Sequence, residues 1–314
     1  MQIEPLGLEH VQDAARLVVA SFDRLRSRID GVSSQLSDVD GVADRLAGMS
    51  GVAAVDAGHL RGFLASWYPI AGFRETGRPG AYSPEWAHGI DEGADEAVWH
   101  ALYRAASTAW TAERCELHAI TVLTDDPGLS FWTWNGFGMT VVDAVRPTEP
   151  LGAPTPDGFR VRSAAAADAP ALAALDLEHR RHYVEPPVLM PLRPADDAAA
   201  WVRFLGEPRG SAWLAEDDEG PFGFIRFDRV FGGADMLATA DGSFISGAYV
   251  RPDQRRRGAA SAILEAALRD QARAGLRTCA VDFETFNPEA TAFWLRHFTP
   301  VCYSLVRVPE ALPG

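Results

Sequence analysis

The residues with the most chemical promise lie in one run, Gly247 to Ser261, which reads Gly-Ala-Tyr-Val-Arg-Pro-Asp-Gln-Arg-Arg-Arg-Gly-Ala-Ala-Ser. An apolar, strand-like segment ends at Val250, and Pro252 follows it. Arg255, Arg256 and Arg257 precede Gly258, and Ser261 to Leu268 has the pattern of an amphipathic helix. A tight turn of small residues that opens a helix leaves backbone N–H groups without intrahelical acceptors. They converge where the helix dipole also favours an anion, so this is a place to hold phosphate. Gly258 and Ala260 are small enough to let a ligand approach the backbone. The arginines add charge-assisted donors.

Carboxylates supply the next chemistry. Asp282 and Glu284 lie in the strand-like segment Arg277 to Glu284. Their spacing puts both on one face, while Val281 and Phe283 take the other. Glu284, nearer the C-terminal end, is the first choice for a general base, and Asp228 is the second. For each, a solvated or arginine-paired carboxylate is the alternative. His179-Arg180-Arg181-His182-Tyr183 closes a predicted helix just before a proline-rich stretch. An ordinary helix C-terminus with cations suited to the dipole would look the same. No His/Cys cluster has metal-ligand spacing, and no Gly-x-Ser-x-Gly or Walker loop occurs.

The elements that must position these residues form two similar halves. The chain has 314 residues, which fits two domains. Arg146 to Gly158 holds four prolines and two glycines and reads as a linker. The expected organisation is a first domain at 1–148, a linker at 149–158 and a second domain at 159–314. Each half shows a short strand, an alanine-rich helix, two strands, a further helix, a strand, a Phe-Trp pair and a closing strand. Those pairs are Phe131-Trp132 and Phe293-Trp294, and the closing strands run Met139 to Val145 and Val301 to Val308. A duplicated α+β domain explains this order.

Composition narrows the partners. The formal charge is −14 with 47% hydrophobic residues. An acidic chain is a poor match for nucleic acid, and no apolar run reaches transmembrane length. The N-terminus lacks signal-peptide regions, so a cytoplasmic protein is expected. Cys115, Cys279 and Cys302 are few and widely spaced, which disfavours a disulfide framework. All 29 basic residues are arginine, so no lysine can act as base or Schiff-base former.

On these residues the second half resembles the GNAT family of N-acetyltransferases. Arg255-Arg256-Arg257-Gly258-Ala259-Ala260 fits its signature of Gln or Arg, two residues, Gly, one residue, then Gly or Ala. Asn287, with Ala290 and the aromatic pair beyond it, fits the second motif. The first half resembles the same fold with its cofactor loop lost. Its corresponding stretch, Ala81 to Gly93, has no arginine and carries Glu85, Asp91 and Glu92, which would repel a pyrophosphate.

The resemblance implies two tandem domains, each a mixed, mostly antiparallel sheet flanked by helices. It implies acetyl-CoA as cosubstrate, with no metal. The loop from Arg256 to Ser261, with Arg255, would meet the pyrophosphate. Ala248, Tyr249 and Val250 would pair with the pantetheine arm, with Asn287 near the thioester. It also implies that the chain around His179 to Tyr183 borders the acceptor site. Many members use a tyrosine of the second motif as general acid, but here that place is Phe293-Trp294. Tyr303 on the final strand is the nearest phenol in sequence.

The expected reaction is acetyl transfer to the amine of a small molecule, by a monomer or homodimer without nucleic-acid or membrane partners. Two other roles stay open: a mycothiol-synthase-like acetyltransferase, and a non-catalytic acyl-CoA sensor.

Overall fold

The computed structural model describes residues 1–153, 156–208, 210–228 and 232–312. Pro154 and Thr155 of the expected linker fall outside these residues. The chain divides into two compact units, Met1–Asp143 with Pro300–Gly314, and Ala144–Thr299.

The first unit begins with β1 (Gln2–Pro5), α1 (Leu8–Arg26), α2 (Val39–Ala47), β2 (Ser50–Asp56) and β3 (His59–Ile70). There follow β4 (Gly80–Ser83), β5 (His88–Ile90), α3 (Glu96–Ala112), β6 (Leu117–Leu123), α4 (Leu129–Trp134) and β7 (Gly138–Pro147). Val11, Ala14, Ala15, Val18, Phe22 and Leu25 recur every three or four residues, and this stripe buries α1 against the sheet. β1, β2 and β3 pair antiparallel, β3 also pairs with β4 and β5, and β4 and β6 run parallel. Trp99 and Trp110 of α3 pack with Ile120 of β6 and Trp132 of α4. Trp132 is fully buried, whereas Trp134 is 85% exposed, so only the first of these tryptophans belongs to the core.

The second unit holds β8 (Arg160–Ser163), α5 (Ala169–Val184), α6 (Ala198–Gly206), β9 (Ser211–Asp217) and β10 (Gly220–Asp228). It continues with β11 (Gly242–Val250), α7 (Ala259–Arg273), β12 (Thr278–Glu284) and α8 (Pro288–His297). β8, β9, β10 and β11 pair antiparallel in order, and β11 and β12 run parallel. Leu172 and Leu175 of α5 pack with Trp201 of α6, Leu214, Phe224 and Tyr249. Each unit is thus an antiparallel meander followed by one parallel pair, flanked by helices.

The last strand, β13 (Thr299–Arg307), corrects the expected boundaries. It pairs antiparallel with β6, from Cys302↔Leu123 to Arg307↔His118, and Leu305 joins the first unit's core. Residues 300–314 therefore complete the first unit rather than the second. The boundary at 148 moves as well. Ala144–Pro147 of β7 belong to the second unit. Just beyond them, the Thr148 N–H donates to the Arg277 carbonyl at 3.0 Å, and its Oγ1 donates to the Leu276 carbonyl at 2.6 Å. The proline-rich segment therefore starts fastened to the second unit.

Arg162 ties β8 to β9 and to the start of α5. Its guanidinium donates two bonds of 2.7 Å to Asp168 and bonds of 2.7 and 2.9 Å to Glu216. These bonds hold both carboxyls below their ordinary values. Their contribution to stability is therefore present above about pH 4, the ordinary carboxylate range, and is lost as pH falls through the lowered folded values. Arg162→Met should destabilise the second unit by about 2–4 kcal/mol at pH 7. Thermal melts of the wild type and this variant between pH 3 and 7 should converge in acid. A constant gap would refute the account.

Candidate active site

The site grows from the parallel pair of the second unit. β11 and β12 are partnered from Gly242↔Thr278 to Ile245↔Val281, and among the described residues the pairing stops there. One residue later β11 carries a bulge: Phe227 pairs with Ile245 and Arg226 with Gly247, so Ser246 has no opposite number. A bulge bends its strand and re-aims side chains. Beyond it the two strands part, and a cleft of about 1000 Å³ opens between their C-terminal ends. That is ample for a cosubstrate and a small acceptor.

One wall of the cleft is the end of β11 and the turn into α7. Ala248, Tyr249 and Val250 line it, followed by Arg255, Arg256, Gly258, Ala259, Ala260 and Ser261. Gly258 is the N-cap of α7 with φ +84°, and Arg256 also has positive φ, +62°. A left-handed cap needs glycine here for a second reason: a Cβ on Gly258 would sit 3.0 Å from Pro156 Cγ. The cap supplies no side-chain acceptor, and the first intrahelical bond is Ala262 N–H to the Gly258 carbonyl at 3.0 Å. The amides of Ala259, Ala260 and Ser261 therefore have no intrahelical acceptor and suit an anion.

The three arginines divide. Arg255 is fixed, donating from Nε to the Val250 carbonyl at 3.0 Å and from Nη1 to Glu289 at 3.2 Å. Arg256 also lines the cleft. Arg257 does not: its guanidinium covers the rings of Phe159 and Phe222 and donates to the Gly158 carbonyl at 3.3 Å. The expectation that Arg257 meets the cofactor is corrected on that ground. Its job is to pin the turn onto the second unit.

The opposite wall is β12 and α8. Asp282 and Glu284 both line the cleft, on the face their spacing predicts. Asn287 lines it too, but its Oδ1 is engaged, accepting from the Ala290 N–H at 3.1 Å as the N-cap of α8. Phe293 and Trp294 follow on α8, and neither carries a hydroxyl. Asp228 is not among the lining residues. It accepts from Ser246 Oγ and lies 3.4 Å from Arg226 Nε. Tyr303 is absent from the cleft as well. On β13 it packs against the core of the first unit, which corrects its candidacy as the acid of this site.

The third wall is the C-terminal end of α5, and it brings in a residue that sequence reasoning placed near the acceptor without assigning a role. Tyr183 lines the cleft with Glu284, and the charge of Glu284 acts on its phenol. Burial, then the charge and hydrogen bond of Glu284, then Asp282, raise its phenol well above the ordinary value, so it stays protonated at neutral pH. His182, lining the same wall, is held below its ordinary value by burial and by Arg255. His179 stacks its edge on Tyr183 at 4.9 Å and lies 5.8 Å from the ring of Tyr249. The signal for this wall was present in the sequence as aromatic and basic residues closing a helix, but no spacing rule pairs Tyr183 with Glu284.

The equivalent place in the first unit is built differently. There the parallel pair is β4 with β6, and the next helix is α3. The N-terminus of α3 is closed by its own Asp95, which accepts from the Ala97 N–H at 3.2 Å. Glu96 adds a second carboxylate to the first turn, and Glu85 is buried before it. A side-chain carboxylate occupies the position that in the second unit is left for a ligand anion. Among the described residues, no group of three or more His, Cys, Asp or Glu side chains could hold a metal ion, and no helix is long and apolar enough to cross a membrane.

Two solved structures share this fold, and a third is similar at a lower score. A GCN5-related N-acetyltransferase from Sphaerobacter thermophilus superposes with a TM-score of 0.59 at 13% identity, covering 98% of this chain and 97% of that one. A glucosamine N-acetyltransferase region of a fungal multi-domain GH3 β-N-acetylglucosaminidase gives 0.54 at 13% identity, covering 97% of this chain and 38% of that one. A tandem GNAT protein from the clavulanic acid biosynthesis pathway gives 0.48 at 15% identity, with 99% of both chains covered. No curated protein matches the chain in sequence. Residues 175–298, which contain the cleft's parting strands, its helix turn and the tyrosine wall, match the family model described as "Acetyltransferase (GNAT) family".

Proposed function

We propose that the second unit transfers an acetyl or similar short acyl group from acyl-CoA to the amine of a small molecule, and that the first unit does not bind acyl-CoA. The observation that carries this is the cleft itself. An open helix N-terminus at Gly258 and a pair of carboxylates at Glu284 and Asp282 face one space between parted strands. Acyl-CoA would supply the activated thioester. Its pyrophosphate suits the amides of Ala259 to Ser261 with Arg255 and Arg256 beside them. The free edge of β11 from Ser246 to Val250 suits the amides of the pantetheine arm.

Glu284 is the proposed base. It takes one proton from the acceptor's ammonium group, and the freed nitrogen attacks the thioester carbonyl. The C–S bond breaks, and the departing CoA thiolate takes up the second proton that the nitrogen sheds. Tyr183 stands beside the carboxylate as a neutral phenol. Asp282 on the same face keeps the acceptor end attractive to an ammonium group.

Two measurements test the reading. Gly258→Val combines a strained φ with a clash against Pro156, so calorimetric titration should show CoA affinity reduced by about tenfold or more while the thermal transition survives. Unchanged affinity would remove the helix turn from the cosubstrate site. In thiol-release assays across an amine panel, Glu284→Gln should lower kcat/KM by about 10²- to 10⁴-fold, with CoA affinity retained. CoA binding without turnover of any amine by the wild type would favour a sensor role instead.

A further inference from the structure

Arg180 differs from the other fixed charges of the cleft. Arg255 is held by a carbonyl and by Glu289. Arg180 lines the cleft, and its buried Nε has no hydrogen-bond partner among the described residues. Its one ionic partner is Asp176, 3.3 Å from Nε in a geometry too poor for a hydrogen bond. Asp176 is itself buried and already accepts the Asp196 N–H at 2.8 Å. Nε is buried, while the Arg180 side chain as a whole keeps a quarter of its surface. The terminal nitrogens, which form the fork that matches a carboxylate, are the part left for a ligand.

Its position adds meaning. Arg180 and Tyr183 are three residues apart on α5 and so share a helix face. Arg180, Tyr183 and Glu284 all line the cleft, and the charges of Glu284 and Arg180 act on the phenol in opposite senses. A cation and a carboxylate therefore share the wall that Tyr183 stands on. A ligand with an ammonium group alone would engage one side and leave a partly buried guanidinium without a hydrogen-bonding partner, which is unfavourable.

We propose that the acceptor is an amine that also carries a carboxylate, of amino-acid type, with its amine at Glu284 and its carboxylate on the Arg180 guanidinium. This rests on the transferase reading above. It narrows the acceptor from any small amine to a zwitterion whose two ends match the two ends of the acceptor wall.

The test is a thiol-release assay with acetyl-CoA on matched pairs, several α- and ω-amino acids each against its own carboxamide. At least one pair should favour the acid by about 10- to 100-fold in kcat/KM, the size expected of a charge-assisted, two-pronged contact. Arg180→Met should bring that ratio to about one by raising KM for the acid, with the smaller change in kcat. Arg180→Lys should keep part of it. Carboxamides turned over as well as their acids would overturn this inference and leave the transferase reading standing. So would a preference that survives Arg180→Met. Turnover of neither member of any pair, with CoA bound, would overturn both. The acid-to-amide ratio of the wild type decides the matter even if the methionine variant does not fold.

Discussion

The parting of β11 from β12 after Ile245 and Val281 is the constraint on which the site depends. A parallel pair that stayed in register would bury its amides in the ladder and close the space between Ser246–Val250 and Asp282–Glu284. The bulge at Ser246 ends that register on the β10 side, where Phe227 and Arg226 skip one residue of β11. Everything in the cleft is placed relative to this opening. The helix turn at Gly258 follows from the end of one strand, the carboxylates from the end of the other, and α5 covers the mouth from one face.

Much of this was legible from residue order, and the legible part has a common physical character. The run from Val250 through Gly258 is local: strand end, proline, glycine in a left-handed cap, helix. Short-range backbone rules apply to it, and the structure puts the turn where those rules put it. The shared face of Asp282 and Glu284 is likewise a matter of strand periodicity. What escaped was non-local. Arg257 reads as a third phosphate ligand, but packing on Phe159 and Phe222 turns it away. α2 and α6, of nine residues each, are inserted between the first helix of each unit and its next strand. Tyr183 and Glu284 come to one cleft from a hundred residues apart in sequence, and the neighbours of a side chain at that range are set by tertiary packing alone.

The two units share one plan and differ at one helix terminus. Both have a meander, a parallel pair and a helix entering from the end of the pair's first strand. In the second unit the helix opens at a glycine that offers no acceptor to the amides. In the first, Asp95 and Glu96 stand at that position, and one of them is already bonded to a helix amide. The difference is a few side chains at one helix terminus, while the cores on either side remain dense with Trp99, Trp110 and Trp132 in one unit and Trp201 in the other.

The placement of β13 reaches beyond the site. Ser304 bonds to Thr121 through their hydroxyls at 2.8 Å, and Cys302 donates to Asp143 at 3.5 Å, so the first unit is sewn shut by residues more than 150 positions downstream. During synthesis the ribosome releases all the residues of the second unit before it releases the strand that finishes the first. The first unit must wait with the edge of β6 unpaired while the second completes itself, and such long-range closure is slow. The order of birth and the order of completion are therefore reversed in this chain. Cutting it at the proline-rich midpoint would leave the first unit without β13 and the second without Ala144–Pro147 of β7.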